Sequence, residues 1–275
     1  MKSLIDYFIP HADEGICMAF SGGVDSSVLL AAACRAAKAA GSSKPVLAVT
    51  FATRLHPHGD TAEAEALARS LGAVHQIIEI DEFSDSRILS NPKTAVTCAS
   101  HCCFCLLLQA GQDAGYTFFC EGSNVDDTKV YCPGLQAVRE AGVCSPLIDC
   151  GLTKTDIRRI AAEAGLSTAA KPSTPCMATR LPYDTPFDYA LLDRIHNGET
   201  WLRDLGFYNV RLRFHEPILR IEIDKTDFNQ FMEKRETIIK AMKKLDFKYI
   251  TLDLKASVPE VWIFKIINAY TNGRL

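Results

Sequence analysis

The chain has 275 residues, of which 48% are hydrophobic and 23% charged, as in a globular protein with one large or two modest domains. A formal net charge of −3 argues against a large nonspecific nucleic-acid surface. Apolar runs are too short to span a membrane and no signal-peptide core follows Met1, so we expect a cytoplasmic protein. In that compartment the 11 cysteines are expected to be thiols rather than structural disulfides.

The first 165 residues alternate predicted strands with predicted helices. Apolar runs predict strands at 16–20, 46–51, 74–80 and 116–120, and helical periodicity predicts helices at 26–40, 60–71 and 101–114. We expect a polar loop over 121–142, a short strand near 145–148, and a helix opened by a capping box at Thr153–Asp156. This alternation predicts an α/β fold with a mostly parallel sheet and helices on both faces.

Beyond Gly165 the pattern changes. Residues 166–187 carry four prolines and Cys176 with little periodicity, which predicts a linker that also carries chemistry. Residues 188–255 predict a small α+β C-terminal domain, with helices at 188–205 and 227–245 and strands at 209–215, 218–223 and 249–254. We therefore expect two domains, 1–165 and 188–255, joined by the linker.

The most informative segment is the turn Ser21-Gly22-Gly23-Val24-Asp25-Ser26-Ser27, which separates the first predicted strand from the next helix. A strand that turns through two glycines into a helix N-terminus directs several backbone N–H groups at one point, which suits phosphate. The turn lacks the Gly-Lys-Ser/Thr of a Walker A loop, so it holds no lysine for phosphates. An ordinary βα connection is the alternative.

A second polar turn, Gly122-Ser123-Asn124-Val125-Asp126-Asp127, follows the strand predicted at 116–120. Because ligands of parallel sheets bind beyond the carboxyl ends of the strands, we expect this turn, with Gly122, to lie close to the first one. Asp126 and Asp127 are candidate ligands for a phosphate-bound Mg²⁺. The alternative is a solvated turn rich in aspartate.

Cys176 lies between Lys171 and Arg180 in a segment rich in proline. The two positive charges would favour its thiolate, which is the nucleophilic form of cysteine. A buried core cysteine is the alternative, although proline-flanked linker sequence is a poor place to bury one.

A Cys-x-x-Cys pair, Cys102 and Cys105, stands near a predicted helix start, with Cys98 upstream. Such pairs serve redox exchange, zinc or an iron–sulfur cluster. With Cys176 as a third thiolate the set fits a 4Fe–4S cluster with one iron open to sulfide, and incidental packing is the alternative. Three other cysteines lie in apolar patterns that predict small buried hydrophobic residues: Cys17, Cys34 and Cys120.

Arg211 and Arg213 alternate along a predicted strand, so both side chains point to one face. Two adjacent guanidinium groups repel each other unless an anion lies between them, and arginine binds phosphate well. The alternative is a solvated face on which Glu216 or Glu222 pairs with the arginines.

Together these segments resemble the LarE family, ATP-dependent sacrificial sulfur transferases within the PP-loop ATP pyrophosphatases. The resemblance runs to about Leu254 and rests on SGGVDSS at 21–27, GSNVDD at 122–127, Pro133-Gly134, Ser145-Pro146-Leu147, KPSTPCMATRLPY at 171–183 and LGFYNVRLRFH at 205–215. Many enzymes share the first string, whereas the segments with Cys176 and with Arg211 and Arg213 are specific to this family.

The resemblance implies that ATP adenylates a carboxylate of pyridinium-3,5-biscarboxylic acid mononucleotide, a step in making the nickel-pincer cofactor of lactate racemase. It implies that Cys176 attacks the adenylate to form a thioester, and that cleavage of its Cβ–S bond leaves a thiocarboxylate and dehydroalanine. Glu199 matches a family site residue and is the candidate base. The residues expected at ATP and pyrophosphate are Ser21, Gly22, Gly23, Asp25, Ser26, Ser27 and Gly122, and those at the substrate phosphate are Arg180, Arg211 and Arg213.

Some members of the family instead hold a 4Fe–4S cluster that carries sulfide, and Cys102, Cys105 and Cys176 match that set, so both sulfur sources stay open. The resemblance also implies a homo-hexamer and other nickel-pincer biosynthesis proteins as partners. A PP-loop tRNA thiolase is one alternative. The negative net charge of the chain and the lack of a basic appended domain disfavour it. A non-enzymatic protein that binds a metal cluster is the second, and the intact turn at 21–27 disfavours it.

The resemblance stops after Lys255. Members of the family continue with Gly-Phe-Arg-Ser-Gly-Ser-Met-Asp, whereas this chain continues with Ala256-Ser257-Val258-Pro259. Codons read from the third base of the Lys255 codon permit the family octapeptide. We therefore expect residues 256–275 to be translated out of frame, which resequencing of the locus would test.

Overall fold

The computed structural model describes residues 1–53, 55, 60–81, 88–92, 95–129, 133–172 and 176–255. The chain divides into two compact units, Met1–Thr174 and Pro175–Leu275, and the division falls inside the predicted linker. The tail that the sequence predicts to be out of frame, 256–275, lies outside the described residues.

The first unit alternates strands and helices along the chain. Its elements are α1 (Lys2–Phe8), β1 (Ile16–Ala19), α2 (Val24–Ala40), β2 (Leu47–Thr53), α3 (Asp60–Ser70), β3 (Val74–Ile80), α4 (Ala95–Asp113), β4 (Phe118–Cys120), α5 (Pro133–Ala141), α6 (Pro146–Asp149) and α7 (Lys154–Glu163). The four strands form a parallel sheet in the order β3-β2-β1-β4, so the carboxyl ends of β1 and β4 are neighbours at one edge.

Both faces of this sheet are buried. Met18 of β1 packs with residues of α1, α2 and α7, whereas the adjacent Cys17 packs with residues of α4 and α5. Because burial on both faces leaves no polar side of a strand, β1 is a continuous apolar run. The predicted α/β fold, a parallel sheet covered by helices on both faces, is confirmed.

Two predictions between β4 and α7 are wrong. The expected loop over 121–142 contains α5, because Leu135 and Val138 lie three residues apart and are buried on one helical face. The expected strand near 145–148 is the short helix α6, which Pro146 begins, since proline suits the first position of a helix. Strand pairing is limited there to one bridge between Cys120 and Cys144.

The second unit is a small α+β arrangement. It contains α8 (Tyr189–Asp204), β5 (Arg211–His215), β6 (Ile218–Glu222), α9 (Phe228–Glu233), α10 (Arg235–Lys244) and β7 (Tyr249–Leu252), and its sheet has the order β5-β6-β7. The single helix predicted at 227–245 is two helices, which separate at Lys234. Across the described part of both units, none of the helices combines the length and the apolar character that crossing a membrane requires.

Candidate functional site

The turn after β1 is built to receive an anion. Gly22 takes a left-handed φ of +69°, which glycine adopts without steric cost, and α2 begins two residues later with Gly23 as its N-cap. The hydroxyls of Ser26 and Ser27 donate to the Gly23 carbonyl at 3.2 and 2.6 Å. A glycine N-cap has no side chain to accept from the first N–H groups of α2, so those groups suit a phosphate.

The turn after β4 lies against the first turn, as the sequence predicts. A Cβ built on Gly122 would stand 3.2 Å from the backbone nitrogen of Ser26, a close approach that a larger residue would crowd. Asn124 Nδ2 donates to Asp25 Oδ1 at 3.2 Å. The two turns therefore form one site at the carboxyl ends of β1 and β4.

Asp126 and Asp127 differ in their surroundings. Asp126 accepts hydrogen bonds from Lys129 Nζ and from the backbone of Lys154, and these lower the pKa of its carboxyl. Asp127 accepts from the Asn124 backbone at 2.8 Å. Partial burial raises the pKa of Asp127, and the negative charge of Asp25 raises it further. Asn124 bonds both residues, Asp127 through its backbone nitrogen and Asp25 through its side-chain amide.

Asp25 joins the predicted pair Asp126 and Asp127 as a candidate ligand for Mg²⁺, because Asn124 bonds both Asp25 and Asp127. Among the residues that the structure describes, no three His, Cys, Asp or Glu side chains are grouped as a metal ligand set. Mg²⁺ bound with nucleotide phosphates takes only one or two protein carboxylates and keeps several waters. A pair of adjacent carboxylates beside an anion-binding turn is therefore sufficient.

Sequence reasoning missed Lys154 as a residue of this site. Its Nζ pairs with Asp25 Oδ2, so a lysine reaches the turn from the first residue of α7. The capping box of Thr153 and Asp156, which the sequence predicts and the structure confirms, fixes that end of the helix. A capping box next to a lysine was the available signal, but it does not show which loop the helix faces.

A buried carboxyl supports the second turn. Glu121 accepts from the backbone and hydroxyl of Ser123 at 2.8 and 2.7 Å, and from the Ser145 hydroxyl at 2.5 Å. Burial raises the pKa of Glu121, although these hydrogen bonds act in the opposite direction. The side chain thus fixes the backbone on both sides of Gly122.

The second unit carries Cys176 at the N-cap of a 3₁₀ helix, Met177–Arg180. The Cys176 carbonyl accepts from the backbone and hydroxyl of Thr179 at 3.0 and 2.8 Å. The same hydroxyl accepts from Arg180 Nη1 at 2.9 Å, and the Thr179 carbonyl accepts from Arg213 Nη1. Thr179, which sequence reasoning assigned no role, therefore connects the backbone of the candidate nucleophile to two candidate phosphate ligands.

Arg180 and Glu199 form a buried ion pair, with side chains 1% and 0% exposed. Arg180 Nε and Nη2 donate to the two carboxylate oxygens of Glu199 at 2.6 and 3.2 Å. Arg203 Nη2 and the Leu212 backbone donate to the same carboxylate at 3.0 and 2.9 Å. Glu199 is therefore held by four hydrogen bonds.

Arg211 and Arg213 are buried on β5, rather than on a solvated face. Glu222, one of the partners that the sequence offered, accepts from Arg213 Nε and Arg220 Nη2, both at 2.7 Å. Arg220 Nε also lies 3.5 Å from Asp253. The described residues of this arginine cluster include five arginines and three carboxylates: Arg180, Arg203, Arg211, Arg213 and Arg220 with Glu199, Glu222 and Asp253. Such a concentration of guanidinium groups suits an anionic ligand.

The remaining candidate cysteines lie on α4. Cys102 and Cys105 are exposed and three residues apart, so they share one face of the helix. They belong to the first unit, whereas Cys176 belongs to the second. Cys17 and Cys120 are buried as predicted, whereas Cys34 is half-buried. Burial raises the pKa of Cys17 and Cys34 to about 12.

Comparison with known proteins gives relatives along most of the chain. Residues 10–92 match the asparagine synthase family. The pyridinium-3,5-bisthiocarboxylic acid mononucleotide synthase of Lactiplantibacillus plantarum is 32% identical over 241 residues, which are 88% of this chain and 86% of that protein. An uncharacterized protein of Synechocystis sp. is 29% identical over 256 residues, 90% of this chain and 91% of that protein.

A solved structure supports the fold. The NH3-dependent NAD synthetase of Campylobacter jejuni, in complex with nitrate, superposes with a TM-score of 0.50 at 16% identity over 94% of this chain and 96% of that one. At this identity the likeness concerns the fold alone. Because the similarity to the Lactiplantibacillus protein extends over most of both sequences, this chain belongs to the LarE family of pyridinium-3,5-bisthiocarboxylic acid mononucleotide synthases.

Proposed function

We propose that this chain is an ATP-dependent sulfur transferase that converts carboxylates of pyridinium-3,5-biscarboxylic acid mononucleotide to thiocarboxylates, in nickel-pincer cofactor biosynthesis. The observation that carries the proposal is the turn from Ser21 to Ser27, whose left-handed Gly22 and uncapped helix start suit a pyrophosphate leaving group. Family membership supports the product, since the Lactiplantibacillus relative is named as the synthase of the bisthiocarboxylic acid mononucleotide.

In the first step, a carboxylate oxygen of the substrate attacks the α-phosphorus of ATP, and pyrophosphate leaves. The N–H groups at the start of α2 would receive the departing phosphates. Lys154 supplies the cation that the turn itself lacks. Asp25 and Asp127 would hold Mg²⁺, which when bound neutralises phosphate charge.

In the second step, the Cys176 sulfur attacks the acyl carbon and AMP leaves, which gives a thioester. Removal of the Cys176 Cα proton then breaks the Cβ–S bond, and the bonding electrons go to sulfur. The products are a thiocarboxylate and dehydroalanine at position 176. The arginine cluster of the second unit supports binding of the mononucleotide phosphate by Arg180, Arg211 and Arg213.

For Glu199, the candidate base, the geometry favours a positioning role. Its carboxylate faces the guanidinium groups of Arg180 and Arg203 and accepts from the Leu212 backbone. Both carboxylate oxygens of Glu199 are thus occupied by donors of the protein itself. We propose that it holds Arg180 for the substrate phosphate.

The experiment that tests this function measures the mass of Cys176 and the release of pyrophosphate in the same reaction. Enzyme purified without iron is incubated with ATP, Mg²⁺ and the biscarboxylic mononucleotide, and we expect Cys176 to lose the mass of one H₂S only when all three are present. Cys176→Ala should still release pyrophosphate, because adenylation does not use the sulfur, but should form no thiocarboxylate. Cys150→Ala, at a half-buried cysteine of the first unit, is the matched control and should behave as wild type. Thiocarboxylate from iron-free Cys176→Ala would overturn the proposal.

The sulfur source has a second candidate, sulfide on a 4Fe–4S cluster held by Cys102, Cys105 and Cys176. The exposure of Cys102 and Cys105 on one face of α4 supports it for those two ligands. Anaerobic expression with iron tests it. Cluster absorption, with repeated turnover and an intact Cys176, would favour the cluster, whereas dehydroalanine after one turnover would favour the sacrificial cysteine. The homo-hexamer stays a prediction, for which light scattering is the measurement.

A further inference from the structure

We infer that Arg158 is a positioning residue that anchors the chain segment leading to Cys176. Arg158 lies on α7, one turn after Lys154, and is half-buried. Its Nη1 donates to the Ala169 carbonyl at 2.7 Å and its Nη2 donates to the Lys171 carbonyl at 3.0 Å. The inference rests on the proposed function, because it assigns Arg158 to the step that follows adenylation.

The two carbonyls belong to the end of a 3₁₀ helix, Ser167–Ala170, and to its C-cap, Lys171. Carbonyls at a helix end lack partners within the helix, and a nearby cationic side chain satisfies them well. The planar guanidinium places two donors in a fixed fork, so one side chain holds both carbonyls at once. A lysine side chain at this position has a single nitrogen. It would hold one of the two carbonyls, and less rigidly than arginine does.

The anchor restricts where Cys176 can reach. Cys176 follows Lys171 by five residues, so its backbone lies within about 18 Å of the anchored carbonyl. Upstream, the Leu166 backbone donates to the Ala161 carbonyl at 2.9 Å, ten residues before Cys176. Closer to Cys176, the Lys171 backbone donates to the carbonyl of the buried Thr168 at 3.0 Å. Without Arg158 the tether therefore lengthens from five residues to about eight, and the effective concentration of the thiol falls by about twofold.

Another contact in the segment does not replace the anchor. Lys171 Nζ pairs with Glu63 at 2.9 Å, but the Glu63 side chain is 71% exposed. Exposed ion pairs hold their residues weakly. This ion pair therefore holds the segment less firmly than the two hydrogen bonds from Arg158.

The chain offers a matched control in the next residue. Arg159 has a side chain 60% exposed and pairs only locally along α7, with Asp156 and Glu163. Arg158→Ala and Arg159→Ala remove the same side chain from adjacent positions of one helix. The two variants differ because Arg158→Ala also removes the donors to the carbonyls of Ala169 and Lys171.

The test measures thiocarboxylate formed per pyrophosphate released, under single-turnover conditions with ATP, Mg²⁺ and the biscarboxylic mononucleotide. For Arg158→Ala we expect unchanged pyrophosphate release and a coupling ratio lower by about twofold, because water hydrolyses adenylate that the thiol does not reach. Arg158→Lys should recover part of the ratio, and Arg159→Ala should leave both quantities unchanged. Hydrogen exchange at residues 169–171 should rise in Arg158→Ala alone.

Each other result counts against the inference. Equal coupling ratios for Arg158→Ala and Arg159→Ala overturn it while leaving the proposed function in place. A proportional loss of pyrophosphate release and thiocarboxylate in Arg158→Ala shows a general structural role and also overturns it. Absence of pyrophosphate release from wild type overturns the proposed function and the positioning role together.

Discussion

Lys154 and Asp25 form an ion pair between residues 129 positions apart in the chain. The lysine begins α7 and the aspartate lies in the first turn of α2, so the pair connects two helix N-termini at the carboxyl edge of the sheet. The side chains are 35% and 20% exposed, which leaves the ammonium accessible to a ligand. When ATP binds, phosphate oxygens would compete with Asp25 for Lys154 and free the carboxylate for Mg²⁺.

Lys154→Met tests this exchange. The substitution keeps the unbranched side chain and removes the charge, so we expect pyrophosphate formation to slow by about 100-fold, as when one preorganised donor to transition-state charge is lost. The free energy of unfolding should change by about 1 kcal/mol or less, since a partly exposed pair contributes little. Rapid-quench assays and urea unfolding measure the two quantities.

Lys129→Met is the matched control, because Lys129 pairs with Asp126 on an exposed surface next to the same site. Its pyrophosphate formation should stay near wild type. Equal slowing in both variants would mean that general positive charge, rather than the Lys154 position, assists adenylation.

Gly122→Ala tests the contact between the two turns. The added Cβ would meet the Ser26 backbone nitrogen at 3.2 Å, and a backbone atom at a helix start cannot move away easily. We expect Mg·ATP to bind about tenfold more weakly, which corresponds to about 1.4 kcal/mol, and calorimetry measures this. Gly134→Ala on α5, where a Cβ meets only the Ser100 hydroxyl at 3.6 Å, should leave binding unchanged. Unchanged Mg·ATP binding in Gly122→Ala would show that the two turns can separate without loss of Mg·ATP affinity.

Glu199→Gln distinguishes positioning from base catalysis. Neutralising one member of a buried ion pair removes the negative charge that faces Arg180, so we expect a loss of about 3 kcal/mol in the free energy of unfolding. The double variant Arg180→Met with Glu199→Leu should recover part of that loss, which urea unfolding would show. A Glu199→Gln protein with unchanged stability and no Cβ–S cleavage would instead support the base.

The adjacency of Gly122 and the Ser26 backbone was predictable from sequence, because parallel strands bring their carboxyl ends to one edge of a sheet. Lys154 was not, since its reach depends on how α7 packs against α2, which periodicity along one helix does not specify. The helix α5 was missed because Gly134 and the polar residues around it weaken the local pattern. Burial of Ala137 and Val138 against α4 stabilises the helix.

The arginine pair of the second unit was likewise only partly predictable from the sequence. Alternation placed Arg211 and Arg213 on one face of β5, and the sequence already offered Glu222 as a partner. It did not show that both arginines are buried, nor that Thr179 joins Arg213 to the Cys176 backbone. Those contacts depend on packing between residues far apart in sequence.

His215, at the end of β5, should report the charge of this arginine cluster. Loss of water around its ring lowers the pKa of His215 below its ordinary value, and the positive charges of Arg220 and Arg213 lower it further. The unfolded chain therefore takes up this proton at a higher pH than the folded chain. The corresponding part of the stability is present above about pH 6.5 and is lost as the pH falls toward the lowered folded pKa.

A bound phosphate should reverse this effect. The anion would offset the arginine charges, so inorganic phosphate is expected to raise the pKa of His215 in the folded protein, as followed by NMR titration of the imidazole resonances. Chloride at equal ionic strength controls for screening. A His215 pKa that phosphate leaves unchanged would show that the arginines of the second unit do not bind the anion.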